Sequence, residues 1–350
     1  MSDRPLDLLA LGDPCVDLMY RTARLPAWDD KARGAMVGLF GGGTEANAAC
    51  NAARLGWRCA LFGRTGSDLH ADFIRRELAE HGVQLHHLAR CERGSSSVAV
   101  VAVSPHGERS VVWLPPHDDG APPPDRGGER REALAQSRWA YTMPYDIDAL
   151  ATLGRETIGA GTRLAIDIER EGARAAGAMR GGMGGGLEQL LQHAELVFLN
   201  QGGFEAATGQ APDADTLKAL CGRARARTVV VTLGADGALA ADRDEGVARA
   251  LAFPAEVVDT TGAGDTFNTA FLVARDRGAP LATALQQASR AAARTVAAFG
   301  ARGALSAFDA ADAGPYRTTP PAGGRRPPPP SDGRESPREQ PFGDSGASSC

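Results

Sequence analysis

Short apolar runs alternate with helical stretches along most of the chain. Leu6 to Gly12 is apolar and closes in Gly-Asp-Pro, the signature of a buried strand. Cys15 to Tyr20 is a second extended piece, with Asp17 alone among apolar neighbours. Such an acid is either a solvated strand-face residue or a ligand for a polar molecule. Ser95 to Val103 alternates through Val98, Val100 and Ala102, turns at Pro105 to Arg109 and resumes to Trp113, which predicts a β-hairpin. His106 and Arg109 fall at or near that turn and read as solvated residues. Further strands are predicted at Ala60 to Gly63, Trp139 to Met143, Leu164 to Ile168, Leu196 to Asn200 and the β-branched run Thr228 to Thr232.

Between these runs the period lengthens. Helices are predicted from Ala48 to Leu55, closed by Gly56, and from His70 to His81, closed by Gly82. Others follow at Asp148 to Ala160, Leu187 to His193 and Asp213 to Arg227, with one long alanine-rich helix from Leu281 to Phe299. Pro26 to Gly34, Gly120 to Glu132 and Arg174 to Gly186 are too polar or glycine-rich for regular structure and read as loops. Strands that alternate with helices imply parallel βαβ units covered on both faces. Ligands in such sheets bind beyond the carboxyl ends of the strands, where Asn200, Thr232 and Asp259 fall.

Composition narrows this picture. The chain has 350 residues, 43% hydrophobic and 23% charged, enough for one large α/β domain or two smaller ones. From residue 314 proline, glycine and charge dominate, so residues 314–350 are expected to form a disordered tail behind a folded domain of residues 1–313. A net charge of −5 argues against nucleic acid as a partner, which would call for a basic face. Lys31 and Lys218 are the only lysines, so a phosphate clamp must come from arginine, backbone N–H groups or a metal. No apolar run has the roughly 18 residues of a membrane span, and the first residues lack a signal-peptide pattern. The six cysteines are scattered, without metal-site spacing, which fits a reducing cytoplasm.

The chemistry concentrates in Val257 to Phe267, VVDTTGAGDTF, at the head of a helix of small and apolar residues. Gly262 and Gly264 allow backbone angles that other residues resist. A turn of that kind at a helix start aims unpaired N–H groups outward and suits an anion, most often phosphate. Asp265 directly behind is a poor phosphate ligand but a good acceptor for the proton of an attacking hydroxyl. The plainer reading is a helix cap, for which aspartate is also favoured. A second glycine turn, Gly41-Gly42-Gly43, precedes Asn47, whose amide offers both donor and acceptor to a hydroxyl pair; here too a capped turn is the plainer alternative.

DTTGAGDTF resembles the C-terminal signature of the ribokinase (PfkB-type) carbohydrate kinase family, D-T-x-G-A-G-D-x-F, at every defined position. Gly42-Gly43, Asn47, Ala49, Gly56 and Gly66 keep the spacing of the N-terminal signature, with Glu45 where the family has a small residue or proline. Thr232-Leu233-Gly234, followed by Gly237, is similar to the family's nucleotide loop, and the resemblance covers roughly residues 6 to 308. It implies an α/β fold, a ribokinase-like three-layer sandwich with a central mostly parallel sheet and a small β-sheet lid from pieces near 15–40 and 94–116. It also implies an ATP-dependent sugar kinase acting on a primary hydroxyl of a ribose-, fructose- or keto-sugar-like substrate. A nucleoside kinase, or a sugar- or nucleotide-binding member with impaired turnover, are the alternatives. Carried over residue by residue, Asp265 is the base, and Gly262, Ala263 and Gly264 form the N–H cradle. Asp17, Gly42, Gly43 and Asn47 hold the sugar, while Asn200, Thr232, Gly234, Gly237 and Ser289 lie along ATP, with Ser289 at the adenine. Asp259 and Thr261 occupy positions where ribokinases bind a monovalent cation, which leaves K+ an open expectation beside Mg2+. The family's usual metal-side glutamate falls on Gly203, and Glu205 is the acid expected to serve in its place. A homodimer through the lid is expected by resemblance alone.

Overall fold

The apolar run at the start of the chain becomes β1 (Leu6–Leu11), near the middle of a nine-stranded sheet. The computed structural model describes residues 4–92, 94–105, 107–116, 128–144, 147–170, 173, 191–223 and 225–302, within a unit spanning Met1–Gly314. His106, residues 174–190 and the tail from 314 lie outside the described residues, and the helix expected from Leu187 largely so.

After β1 the chain makes β2 (Cys15–Thr22) and β3 (Gly34–Gly42), then α1 (Thr44–Arg54), β4 (Cys59–Thr65), α2 (Leu69–Glu80) and β5 (Leu88–Arg90). The hairpin β6 (Ser97–Val103) and β7 (Arg109–Leu114) follows. Next come α3 (Glu129–Ala135), β8 (Ser137–Thr142), α4 (Ile147–Ala160), β9 (Arg163–Ile168) and β10 (Leu196–Asn200). Then α5 (Gln201–Thr208), α6 (Ala214–Arg223), β11 (Thr228–Thr232), β12 (Ala238–Asp242) and β13 (Gly246–Ala250) lead to α7 (Ala263–Asp276) and α8 (Leu281–Thr295).

The large sheet runs β13-β12-β11-β10-β9-β8-β1-β4-β5. It is parallel from β5 to β11, and β12 and β13 add an antiparallel edge. Alternate strand residues face opposite sides. Trp139, Tyr141, Phe198 and Val230 pack under α1, α2, α7 and α8, whereas Ala140, Val197, Leu199 and Val231 pack under α3 to α6. Phe198 meets Phe271 of α7 edge-on, with ring centroids 5.8 Å apart. Burying a side chain of this size contributes about 1.5–3 kcal/mol. The result is a helix–sheet–helix sandwich, with the strands' carboxyl ends gathered on one rim.

A smaller sheet, β3-β2-β6-β7, forms the lid. Asp17 on β2 sits level with Phe40 on β3 and Ala99 on β6. The inward lid residues Cys15, Met19, Val101 and Val103 make a small apolar cluster of their own.

Several elements differ from expectation for local reasons. The helix expected to run to Phe299 stops at Thr295, because the Val296 carbonyl accepts from the N–H groups of Val258 and Asp259 and the chain must turn. α6 is shorter than Asp213 to Arg227; the Asp213 carboxylate bonds the Asp215 and Thr216 N–H groups at its start. The loop expected through Glu132 gives way to α3 at Glu129. The strands β3, β5, β12 and β13 carry too short or too glycine- and alanine-rich a pattern to stand out in the sequence.

Candidate active site

α7 begins with Gly262 at φ 74°, a left-handed conformation natural to glycine. A Cβ at Gly262 would also come within 2.5 Å of Ala301, so the turn has no room for a side chain. This aims the helix N-terminus, with Gly262, Gly264 and Asp265, into a cavity of about 1300 Å³. The carboxyl ends of β1, β8, β10 and β11 line one wall, through Gly12, Thr142, Asn200 and Thr232. The lid lines another, through Asp17, Val101, Arg109 and Trp113.

Asp265 stands in the first turn of α7, partly open to this cavity. Its Oδ2 accepts a hydrogen bond from Asn47 Nδ2 at 2.6 Å, a contact between residues 218 positions apart. Burial raises its carboxyl to about 7, against the lowering effect of the Asn47 bond; Glu169 adds to the rise, while Arg109 opposes it. A carboxyl that titrates near neutrality is suited to accept a proton and release it again.

The amide of Asn47 is itself held. Arg302 Nε donates to Asn47 Oδ1 at 2.9 Å, which fixes the amide with its NH2 toward Asp265. Arg302 is buried; Nη2 donates to the Gly42 carbonyl at 3.0 Å and Nη1 pairs with Glu77. Cβ atoms at Gly41 and Gly42 would collide with the Glu77–Arg302 pair and with the Asp17 carboxylate, which accounts for both glycines. Asp17 is buried on β2, accepts from Cys15 Sγ at 3.2 Å, and is pushed up chiefly by burial, with the charges of Arg302 and Arg109 pulling back. Glu45 also faces the cavity, accepts from the Met143 N–H at 2.8 Å, and burial raises it to about 8.

At the other end, Asn200 and Thr232 sit side by side on β10 and β11. Asn200 Oδ1 accepts from the Gly203 N–H at 2.7 Å and caps α5. Gly234 lines the cavity, whereas Gly237, at φ 90°, shapes the turn behind it, where a Cβ would strike the Ala250 carbonyl. Ser289 is buried in α8 outside the cavity lining, and its hydroxyl has no hydrogen-bond partner among the described residues. Asp259 is buried, and both its oxygens are engaged: Oδ1 by the Thr261 N–H and hydroxyl, Oδ2 by the Gly300 N–H. Among the cradle residues, Gly262 and Gly264 line the cavity and Ala263 does not.

Three departures from expectation stand out. Arg109, read as a solvated turn residue, is exposed at the start of β7 but also lines the cavity and acts on both Asp17 and Asp265. Glu205, expected on the metal side, is turned away: it accepts from Gln201 Nε2 at 2.8 Å, lies 3.8 Å from Arg170 and does not line the cavity. Arg302 had no local signal at all, since its role depends on chain segments that meet only in the fold.

An anion-seeking helix terminus with a neutral-range carboxylate, beneath a lid and beside open strand ends, is the architecture of a group-transferring α/β enzyme. The chain belongs to the pfkB family of carbohydrate kinases, whose family model matches residues 6–142 and 164–307. It is 30% identical over 287 residues to acarbose 7(IV)-phosphotransferase of Actinoplanes sp., covering 80% of this chain and 88% of that protein. It is 26% identical over 306 residues to ribokinase of Bacillus subtilis, covering 85% and 96%. In fold it is similar to Arabidopsis thaliana ribokinase solved with ribose and ATP, with a TM-score of 0.70 at 23% identity over 86% of this chain and 98% of that one. Among the described residues no helix is long and apolar enough to cross a membrane.

Proposed function

We propose that the chain transfers the γ-phosphoryl group of ATP to a primary hydroxyl of a small ribose-, fructose- or keto-sugar-like carbohydrate, with Asp265 as general base. The observation that carries this reading is the Asn47–Asp265 hydrogen bond, which holds a base of neutral pKa at the mouth of the Gly262 turn. The sugar hydroxyl gives its proton to Asp265 as its oxygen bonds to the γ-phosphorus. The bond from that phosphorus to the bridging oxygen breaks, and ADP leaves. N–H groups of the Gly262–Gly264 turn stabilise the charge on the transferring group, an effect worth about 2.7–4 kcal/mol per donor in comparable sites.

Asp17, the Gly42–Gly43 turn and Asn47 hold the sugar; Arg109 on the lid partly offsets the negative charge around it. Asn200, Thr232 and Gly234 lie along the nucleotide. Among the described residues no cluster of three or more metal-binding side chains occurs. Magnesium fits without one, because it is bound by one or two carboxylates together with substrate phosphates. When bound with the nucleotide it neutralises the β- and γ-phosphates.

The test is a coupled ADP-release assay with ribose, fructose, 2-keto-3-deoxygluconate and adenosine. Sugar-dependent ADP release supports the reading. Release with adenosine alone makes the chain a nucleoside kinase, and no release above the ATP-only rate with any of them removes the proposal.

A further inference from the structure

The nucleotide side of the cavity lacks an acid where the family places one, and the fold explains why. Gly203 lies in the first turn of α5, packed directly on the end of β9. A Cβ at this position would collide with the Ile168 carbonyl oxygen, so no side chain can stand there. Glu205 lies on the next stretch of α5 and is occupied outside the cavity by Gln201 and Arg170.

Glu169 presents a different carboxylate. It follows β9 immediately and lines the cavity with Asn200, Gly202, Thr232, Gly234 and Asp265. Its backbone carbonyl accepts from the Ala173 N–H at 2.8 Å, and the residue is part of the cavity wall. Among the charged groups that act on Asp265, Glu169 ranks ahead of Arg109 and Asp17. Glu169 and Asp265 share the cavity with Asp13, Asp17, Glu45 and Glu129, and the phosphates of a nucleotide would add further negative charge. Arg64, Arg90, Arg109 and Arg130 also line the cavity and offset part of this charge, and a cation held between a carboxylate and the phosphates would offset more.

We propose that Glu169 is the carboxylate that holds the magnesium ion of the bound nucleotide in this chain, in place of the acid that Gly203 cannot carry. This rests on the kinase reading above. The close approach of α5 to β9 excludes a side chain at 203, and Glu169, at the end of β9 against that helix, takes the cation side of the site. The position is supplied by a strand end rather than by the helix that follows the next strand.

Calorimetry on the full chain tests this without turnover. A non-hydrolysable ATP analogue is titrated with and without Mg2+ into the wild type, Glu169→Gln, Glu169→Asp and Glu205→Gln. Glu169→Gln is expected to weaken the Mg2+-dependent part of binding by about 10–100-fold. Metal-free affinity should be equal or tighter, because a like charge has gone. Glu169→Asp should fall between, and Glu205→Gln should match the wild type. Mn2+ titration followed by electron paramagnetic resonance reads the same loss directly on the metal. Unchanged Mg2+ dependence in Glu169→Gln, or its loss in Glu205→Gln, overturns the proposal. If Glu169→Gln fails to fold, Glu169→Asp decides on the same criterion. A wild type that binds Mg2+-nucleotide through Glu169 but phosphorylates no sugar would instead overturn the kinase reading and leave this assignment standing.

Discussion

Replacing Asn47 with alanine removes the N–H donor that Asp265 Oδ2 accepts from at 2.6 Å. A hydrogen bond to a charged group contributes about 1.5–3 kcal/mol. One pH unit of titration corresponds to about 1.4 kcal/mol, so losing the bond raises the Asp265 carboxyl by about one to two units. It starts at about 7, where burial already holds it up and the Asn47 bond is the leading force holding it down. The limb on which the base ionises therefore moves from near pH 7 to about pH 8–9. The assay is the pH profile of kcat/KM for the sugar that proves active, which reports groups of the free enzyme. Asn47 also lies among the sugar-holding residues, so the height of the profile falls as well; the position of the limb carries the test. A limb that stays near pH 7 while kcat/KM drops uniformly would refute the reasoning and leave Asn47 as a sugar ligand alone.

The remaining predictions concern stability and the network behind the base. Folding raises Asp265 from 3.8 to about 7, so its contribution to stability is fully present below pH 3.8 and is lost as pH rises through about 7. Asp265→Asn should therefore melt above the wild type at pH 8, by at most about 4 kcal/mol, and the gap should close by pH 4; a pH-independent gap contradicts this. Arg302→Leu removes the guanidinium that donates to Asn47 Oδ1 and the Gly42 carbonyl, and leaves Glu77, among the described residues, with His81 at 3.3 Å. Denaturant melts should show a loss of about 3–5 kcal/mol, and a loss below about 1 kcal/mol would mean the buried guanidinium is dispensable.

Much of the fold could be read from the chain because its signals are local. The β-branched run Thr228 to Thr232 and the apolar run Leu196 to Asn200 each become a buried parallel strand. The alternation around Pro105 becomes the lid hairpin. The antiparallel strands β12 and β13 were not legible, since their alanines and glycine carry little strand preference; β12 gains its place by pairing with β11, and β13 by pairing with β12. In the site, the Gly262 turn was legible as a glycine turn at a helix start, whereas the Asn47 bond to Asp265 appears only once the two segments meet in the fold. Arg302 and Arg109 were not legible: one acts through a buried contact 255 residues away, and the other reaches the cavity only once the lid strand is placed. Glu205 misled for a related reason. An acid near the expected spacing looks sufficient in sequence, but the helix turns it toward Arg170.

The central claim is that Asp265 takes the proton of the attacking hydroxyl. It is tested most directly by comparing turnover of Asp265→Asn with the wild type at saturating sugar and ATP, after calorimetry has shown that both bind nucleotide equally. Loss of a general base predicts a fall of about 10²–10⁴-fold with binding intact. Near-wild-type turnover in Asp265→Asn would contradict the account.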